Sequence, residues 1–94
     1  MLSKIPIDLT KAKAGDVDKE ILRVAIIAEL DAVNLYEQMA ALAKDKHIRM
    51  VLLDIAREEK THVGEFQEML LRLDKEQVKE FAEAKKEIKE ITGK

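Results

Sequence analysis

From Asp16 to Leu73 the chain has no proline and one glycine, Gly64, and a single polar break, Lys44-Asp45-Lys46-His47, divides this span into two nearly equal stretches. A sequence so arranged is limited to long helices joined by a very short turn. In the first stretch, apolar or small residues recur at Leu22, Ala25, Ile26, Ala32, Val33, Tyr36, Met39, Ala40 and Ala43, with a period of about 3.6 residues. A second set, Ile21, Val24, Ile27, Leu30 and Leu42, widens the stripe, so this helix is expected to pack against more than one neighbour. The second stretch carries Ile48, Val51, Leu52, Ile55, Phe66, Met69, Leu70 and Leu73. The short connection makes the pair an antiparallel hairpin, each arm roughly 40 Å long at about 1.5 Å per residue.

Asp16 and Asp45 are the expected N-caps of these helices, with Asp18 and Glu20 favourable against the first-turn dipole. At Asp74 the pattern restarts, and Asp74-Lys75-Glu76-Gln77 resembles a capping box. A third helix follows to Ile91, with Gly93 beyond it. Its stripe of Val78, Phe81, Ala82, Ile88 and Ile91, broken by Lys85, is enough to dock on something but thin for a core. Its Lys/Glu alternation reads as a solvated face with i,i+4 pairs. Residues 1–15 include Pro6 and show no period. The expected organisation is therefore all-α: an irregular arm over 1–15, then one domain over 16–94 with helices at about 16–44, 46–73 and 75–91.

A chain of 94 residues buries a modest core, so oligomerisation or a metal is the expected source of further stability. A net charge of −2 argues against a nucleic-acid scaffold and leaves no polybasic patch for a membrane surface. The absence of cysteine excludes a disulfide framework, a zinc-thiolate or rubredoxin-type site and a thiol nucleophile. Any metal must then be held by carboxylates and imidazole. Met1–Lys13 has no apolar signal-peptide core, and the run Val24-Ala25-Ile26-Ile27-Ala28 is too short to span a bilayer. The expectation is a soluble, intracellular chain.

Chemistry enters where acids interrupt apolar stripes. Glu29 falls in the row Leu22, Ala25, Ile26, Val33, Tyr36, while Glu59 and His62 fall in the row Ile55, Phe66, Met69. A carboxylate on a buried stripe is costly unless it is paired, protonated or metal-bound. No Arg or Lys shares the inner face of the first helix near Glu29. Glu59-x-x-His62 alone is a weak signal: with so many glutamates, any His has about a one-in-eight chance of a Glu three positions before it. Register strengthens it. Glu29 precedes the turn by about as many residues as Glu59 and His62 follow it, so an antiparallel hairpin sets the three at one height on facing stripes. A twofold axis relating two hairpins would then gather four glutamates and two histidines. Ferritin-like carboxylate sites use one Glu from each of two helices and a Glu-x-x-His from each of the other two. One hairpin supplies half of that set. Hard oxygen ligands with imidazole suit iron, manganese or zinc.

The segments Glu29-Leu30-Asp31-Ala32-Val33-Asn34-Leu35-Tyr36-Glu37 and Asp54-Ile55-Ala56-Arg57-Glu58-Glu59-Lys60-Thr61-His62-Val63-Gly64-Glu65 resemble those of the encapsulated ferritin family, half-ferritins of the ferritin-like superfamily found inside, or fused to, encapsulin shells. The resemblance runs from about residue 16 to 92. It implies a homodimer that closes a ferritin-like four-helix bundle around an inter-subunit ferroxidase centre, and a ring of such dimers, a decamer. It implies Glu29, Glu59 and His62 as ligands of a di-iron pair, Fe2+ oxidised to Fe3+ by dioxygen, with Tyr36 beside the centre. It also implies a cytoplasmic location inside an encapsulin nanocompartment, whose shell is the partner and whose lumen stores the iron. The alternatives are a rubrerythrin-like peroxide reductase, a redox-inert zinc or manganese site, and a structural helical oligomerisation module. From the residues alone, Tyr36 reads equally as a core tyrosine with a satisfied hydroxyl. Glu58 and Glu65 read as solvated or weakly iron-attracting acids, and His47 as a surface residue.

Overall fold

The computed structural model describes residues 16–94, and the arm expected over 1–15 lies outside the described residues. Three helices follow in order: α1 (Val17–Leu42), α2 (Lys46–Leu73) and α3 (Lys75–Thr92). Among the described residues there is no strand, so the expected all-α class holds.

The helix ends show why the chain turns where it does. Asp45 Oδ1 accepts from the backbone N–H groups of His47 at 2.8 Å and Ile48 at 2.9 Å, capping α2. Across the same turn the Arg49 guanidinium donates to the Ala43 carbonyl at 2.8 Å, satisfying an acceptor that the end of α1 leaves open. Asp74 serves two helices at once. Its N–H closes α2 onto the Leu70 carbonyl at 2.9 Å, and its Oδ1 accepts from the Gln77 N–H at 3.0 Å to start α3. The expected capping box is therefore half formed, because the N–H that Gln77 would have bonded is already used by α2. Asp16 occupies the N-cap position of α1, but its side chain caps nothing. Gly93, at φ 76°, ends α3 in the left-handed conformation, with its N–H on the Lys89 carbonyl at 2.8 Å.

Three cross-helix pairs define the register of α1 on α2: Arg23 with Asp74, Glu29 with His62, and Glu37 with Lys60. Advancing along α1 means retreating along α2, which is the antiparallel hairpin. The helices meet closely because Ala40 and Ala56, each 2% exposed, stand between them with Val33 and Leu70. Small residues at a crossing let two helix axes approach.

That core is small, and much apolar surface lies outside it. Ile48, Val51, Leu30 and Met69 are each about half exposed. α3 touches α2 sparsely and α1 not at all, so the molecule is a slab of 46 × 43 × 20 Å with α3 projecting from it. Val78, Phe81, Ile88 and Ile91 stay exposed along α3. The pairs expected between its lysines and glutamates are absent: among the described residues no salt bridge joins two residues of α3. Such exposed pairs gain little over solvation of each charge.

Candidate metal centre

Glu29 lies midway along α1, and Glu59 and His62 lie one turn apart midway along α2. The antiparallel register therefore brings all three together, and each offers one ligand atom within 4.8 Å of the others. His62 Nδ1 stands 3.4 Å from Glu29 Oε2 and 3.4 Å from Glu59 Oε2. Charge-assisted hydrogen bonds are shorter, about 2.7–2.9 Å. Two donors each about 2.1 Å from one metal ion, by contrast, lie roughly 3 to 3.5 Å apart. The spacing suits donors that share an ion better than donors that share a proton.

Burial points the same way. The Glu29 and Glu59 side chains are 22% and 18% exposed, and His62 is 44% exposed. Glu29 Oε2 is fully buried without a hydrogen-bond partner, an arrangement that costs about 1–3 kcal/mol when nothing else compensates it. Glu20 Oε2 is buried and unpartnered as well, but it lies in the first turn of α1, where the helix dipole favours negative charge. Glu29 is too far along the helix for that support.

Five other acids are answered by cations. Asp54 and Glu58 face Arg57, Glu37 faces Lys60, Glu68 faces Arg72, and Asp74 faces Arg23. Among the described residues no Lys or Arg lies within salt-bridge distance of Glu29 or Glu59. The donor set of two carboxylates and an imidazole is the kind that iron, manganese and zinc accept, and its unanswered charge fits a divalent ion. Glu29, Glu59 and His62 are the residues that would hold such an ion.

The remaining residues singled out in the sequence are placed differently. Tyr36 is half-buried on α1, two turns beyond Glu29 and so roughly 10 Å along the axis. Among the described residues, no hydrogen bond joins its hydroxyl to the three-residue cluster. Glu58 and His47 are exposed. Glu65 is exposed but not remote: with Glu29, His62 and Phe66 it lines an open recess of about 320 Å³. The spacing Glu59-x-x-His62-x-x-Glu65 carried that signal, since each step of three advances one turn along nearly the same face.

The rubrerythrin family model matches residues 20–93. The crystal structure of the encapsulated ferritin domain from Pyrococcus furiosus superimposes with a TM-score of 0.84 at 54% identity, covering 100% of this chain and 98% of that one. The chain belongs to the rubrerythrin family, among its encapsulated ferritins. Two further relatives of this encapsulated ferritin domain agree. A ferritin-like-encapsulin shell fusion protein from Pyrococcus furiosus is 64% identical over 74 residues, 79% of this chain and 21% of the relative. The encapsulin nanocompartment cargo protein EncC from Myxococcus xanthus is 35% identical over 72 residues, 77% of this chain and 55% of the relative. The chain thus spans about a fifth of the first and just over half of the second. No helix among its described residues is long and apolar enough to cross a membrane.

Proposed function

We propose that two copies of this chain, related by a twofold axis, form a ferroxidase: Glu29, Glu59 and His62 from each subunit hold a pair of ferrous ions as substrate, and dioxygen oxidises them. The observation that carries this reading is the face on which the cluster sits. Along α2 the stripe Ile48, Val51, Ile55, His62, Phe66, Met69 runs past the site, and Ile48, Val51 and Met69 are 56%, 58% and 46% exposed. An apolar face with half of a ferritin-like donor set at its middle is complementary to itself under a twofold axis. Closing it removes water from the stripe and completes the set of four glutamates and two histidines.

In the closed site the carboxylates supply negative charge that favours the ferric over the ferrous state, and the neutral imidazoles complete the coordination. Oxidation raises the charge by one per iron, which the uncompensated Glu29 and Glu59 accommodate better than neutral ligands would. Both shell-linked relatives support placing the product in an encapsulin compartment. A ring of dimers, a decamer, and the shell as partner belong to this reading, as does Tyr36 as a redox-active neighbour in line with the centre.

Anaerobic titration with ferrous ion, followed by aerobic stopped-flow absorbance, tests the reading on the wild type and His62→Ala. The expected result is saturation near about one iron per chain and rapid oxidation that the variant loses. Equal oxidation in both proteins would refute the assignment. The match to the rubrerythrin family favours one second reading, a peroxide reductase. In that case hydrogen peroxide, and not dioxygen, would reoxidise the ferrous protein at the faster rate.

A further inference from the structure

We propose, resting on the two-copy reading above, that the copies lie antiparallel, with Leu73 of each seated in the recess beside the turn of the other. A metal cluster at mid-height leaves the direction of the twofold axis open. An axis along the helices and an axis across them both bring two sets of Glu29, Glu59 and His62 together. The two ends of the hairpin differ, however, and they match under only one of these axes.

At the turn, His47, Ile48, Val51 and Leu52 line an open, apolar recess of about 300 Å³. At the other end of α2, Leu73 is half exposed. With about 100° between successive residues, Ile48, Val51, Met69 and Leu73 all fall within about 40° of His62, so recess and leucine share the face that carries the site. α3 leaves that face clear. The recess between α2 and α3 is lined by Gln67 and Leu71 with Val78 and Phe81, and Gln67 and Leu71 stand about 140° and 180° round α2 from His62.

Register decides the match. Ile48 precedes Glu59 by eleven residues, and Leu73 follows His62 by eleven. An axis across the helices through the middle of the cluster therefore sets Leu73 of one copy at the height of Ile48 of the other, and does so twice. An axis along the helices sets recess against recess and leaves neither filled. Charge favours the same choice. The turn carries Lys44, Lys46 and Arg49 against Asp45 alone. Parallel packing would bring two such turns together at about the 8–10 Å spacing of packed helices. Antiparallel packing holds them roughly 40 Å apart, well beyond the screening length of about 10 Å at 0.1 M salt.

Cysteine cross-linking reads the arrangement directly, because the chain has no cysteine of its own. The full-length proteins are Ile48→Cys, Leu73→Cys and the doubly substituted chain, each treated with a short bismaleimide that spans neighbouring helices. Both positions are half exposed in the single chain, so the hairpin should keep its helical circular dichroism. They lie roughly 37 Å apart along α2, too far for a link within one chain. The doubly substituted chain should run as a covalent dimer on a denaturing gel, and each single variant as a monomer. In sedimentation, Leu73→Ala should raise the dimer dissociation constant roughly tenfold or more, since each dimer loses two buried leucine contacts.

Covalent dimers from either single variant would show like ends side by side and overturn the antiparallel arrangement, with the shared metal site left standing. So would a wild-type dimer whose doubly substituted form fails to link, or whose dissociation constant Leu73→Ala leaves unchanged. A wild type that is monomeric with and without divalent ion would overturn the two-copy reading itself, and the seating of Leu73 with it.

Discussion

Arg23 of α1 donates to Asp74 at the junction of α2 and α3, with its Nη2 2.9 Å from Asp74 Oδ2, across 51 residues of sequence. Asp74 is 9% exposed and also caps α3, so one side chain fastens the start of α1 to the end of α2 and to the start of α3. Since α3 has little other contact with the hairpin, this junction sets the direction in which it projects.

Replacing Asp74 by Ala removes the cap and the ion pair together. The expected outcome is a lower melting temperature by circular dichroism and faster amide exchange at the N-terminus of α3, with Glu29, Glu59 and His62 undisturbed. Arg23→Ala should lower the melting temperature less, since the cap to Gln77 remains. Equal effects would mean that the cap contributes nothing of its own.

Acid should weaken the same junction. The Gln77 N–H, and after it the Arg23 guanidinium, hold the Asp74 carboxyl below its ordinary value of 3.8, against the opposing effect of burial. The Arg57 hydrogen bond and charge do the same for Asp54, but that pair is exposed and contributes little. A carboxyl that titrates lower in the folded than in the unfolded chain binds fewer protons when folded. Its stabilisation is complete above 3.8 and is lost as pH falls through the depressed folded value. The metal-free melting temperature should therefore drop on acidification in that window, and drop less steeply in Asp74→Asn. Parallel curves for the two proteins would exclude Asp74 as the source.

Without metal, the Glu29 carboxylate is a burden on the fold. Glu29→Gln should raise the stability of the metal-free protein, because the amide fills the same space without the charge that burial penalises. The same change should abolish the rise in melting temperature that a bound divalent ion gives the wild type. A variant both less stable without metal and still stabilised by it would show that Glu29 is a packing residue.

Association should depend on the stripe that carries the site. Val51 is 58% exposed in the single chain, so Val51→Lys leaves the hairpin itself unstrained. Sedimentation should show the wild type as a dimer or larger and the variant as a monomer at the same concentration, with metal stoichiometry lost alongside. Retention of the wild-type assembly would move the interface to another face.

Much of this was legible in the residues. The unbroken helical period of α1 and α2, Asp45 at the turn and Asp74 at the restart follow from local chemistry, and local chemistry is written in consecutive residues. The meeting of Glu29 with Glu59 and His62 was legible too, because a hairpin with a short turn converts equal distances along the chain into equal heights. Helix starts were less secure. Asp16 stands where an N-cap belongs, yet its side chain makes no cap, since the residue type permits that bond but does not compel it.

What the sequence determined by itself is the two long helices, the turn between them and the placing of Glu29, Glu59 and His62 at one height on facing stripes, all consequences of period and spacing. Tertiary structure alone decided the rest. It joined Arg23 to Asp74, paired Glu37 with Lys60, left Glu29 Oε2 buried and unpartnered, and opened the recess that Glu65 overlooks. These depend on which rotamers of distant side chains meet once the helices have packed, and pattern along a chain carries no record of such meetings.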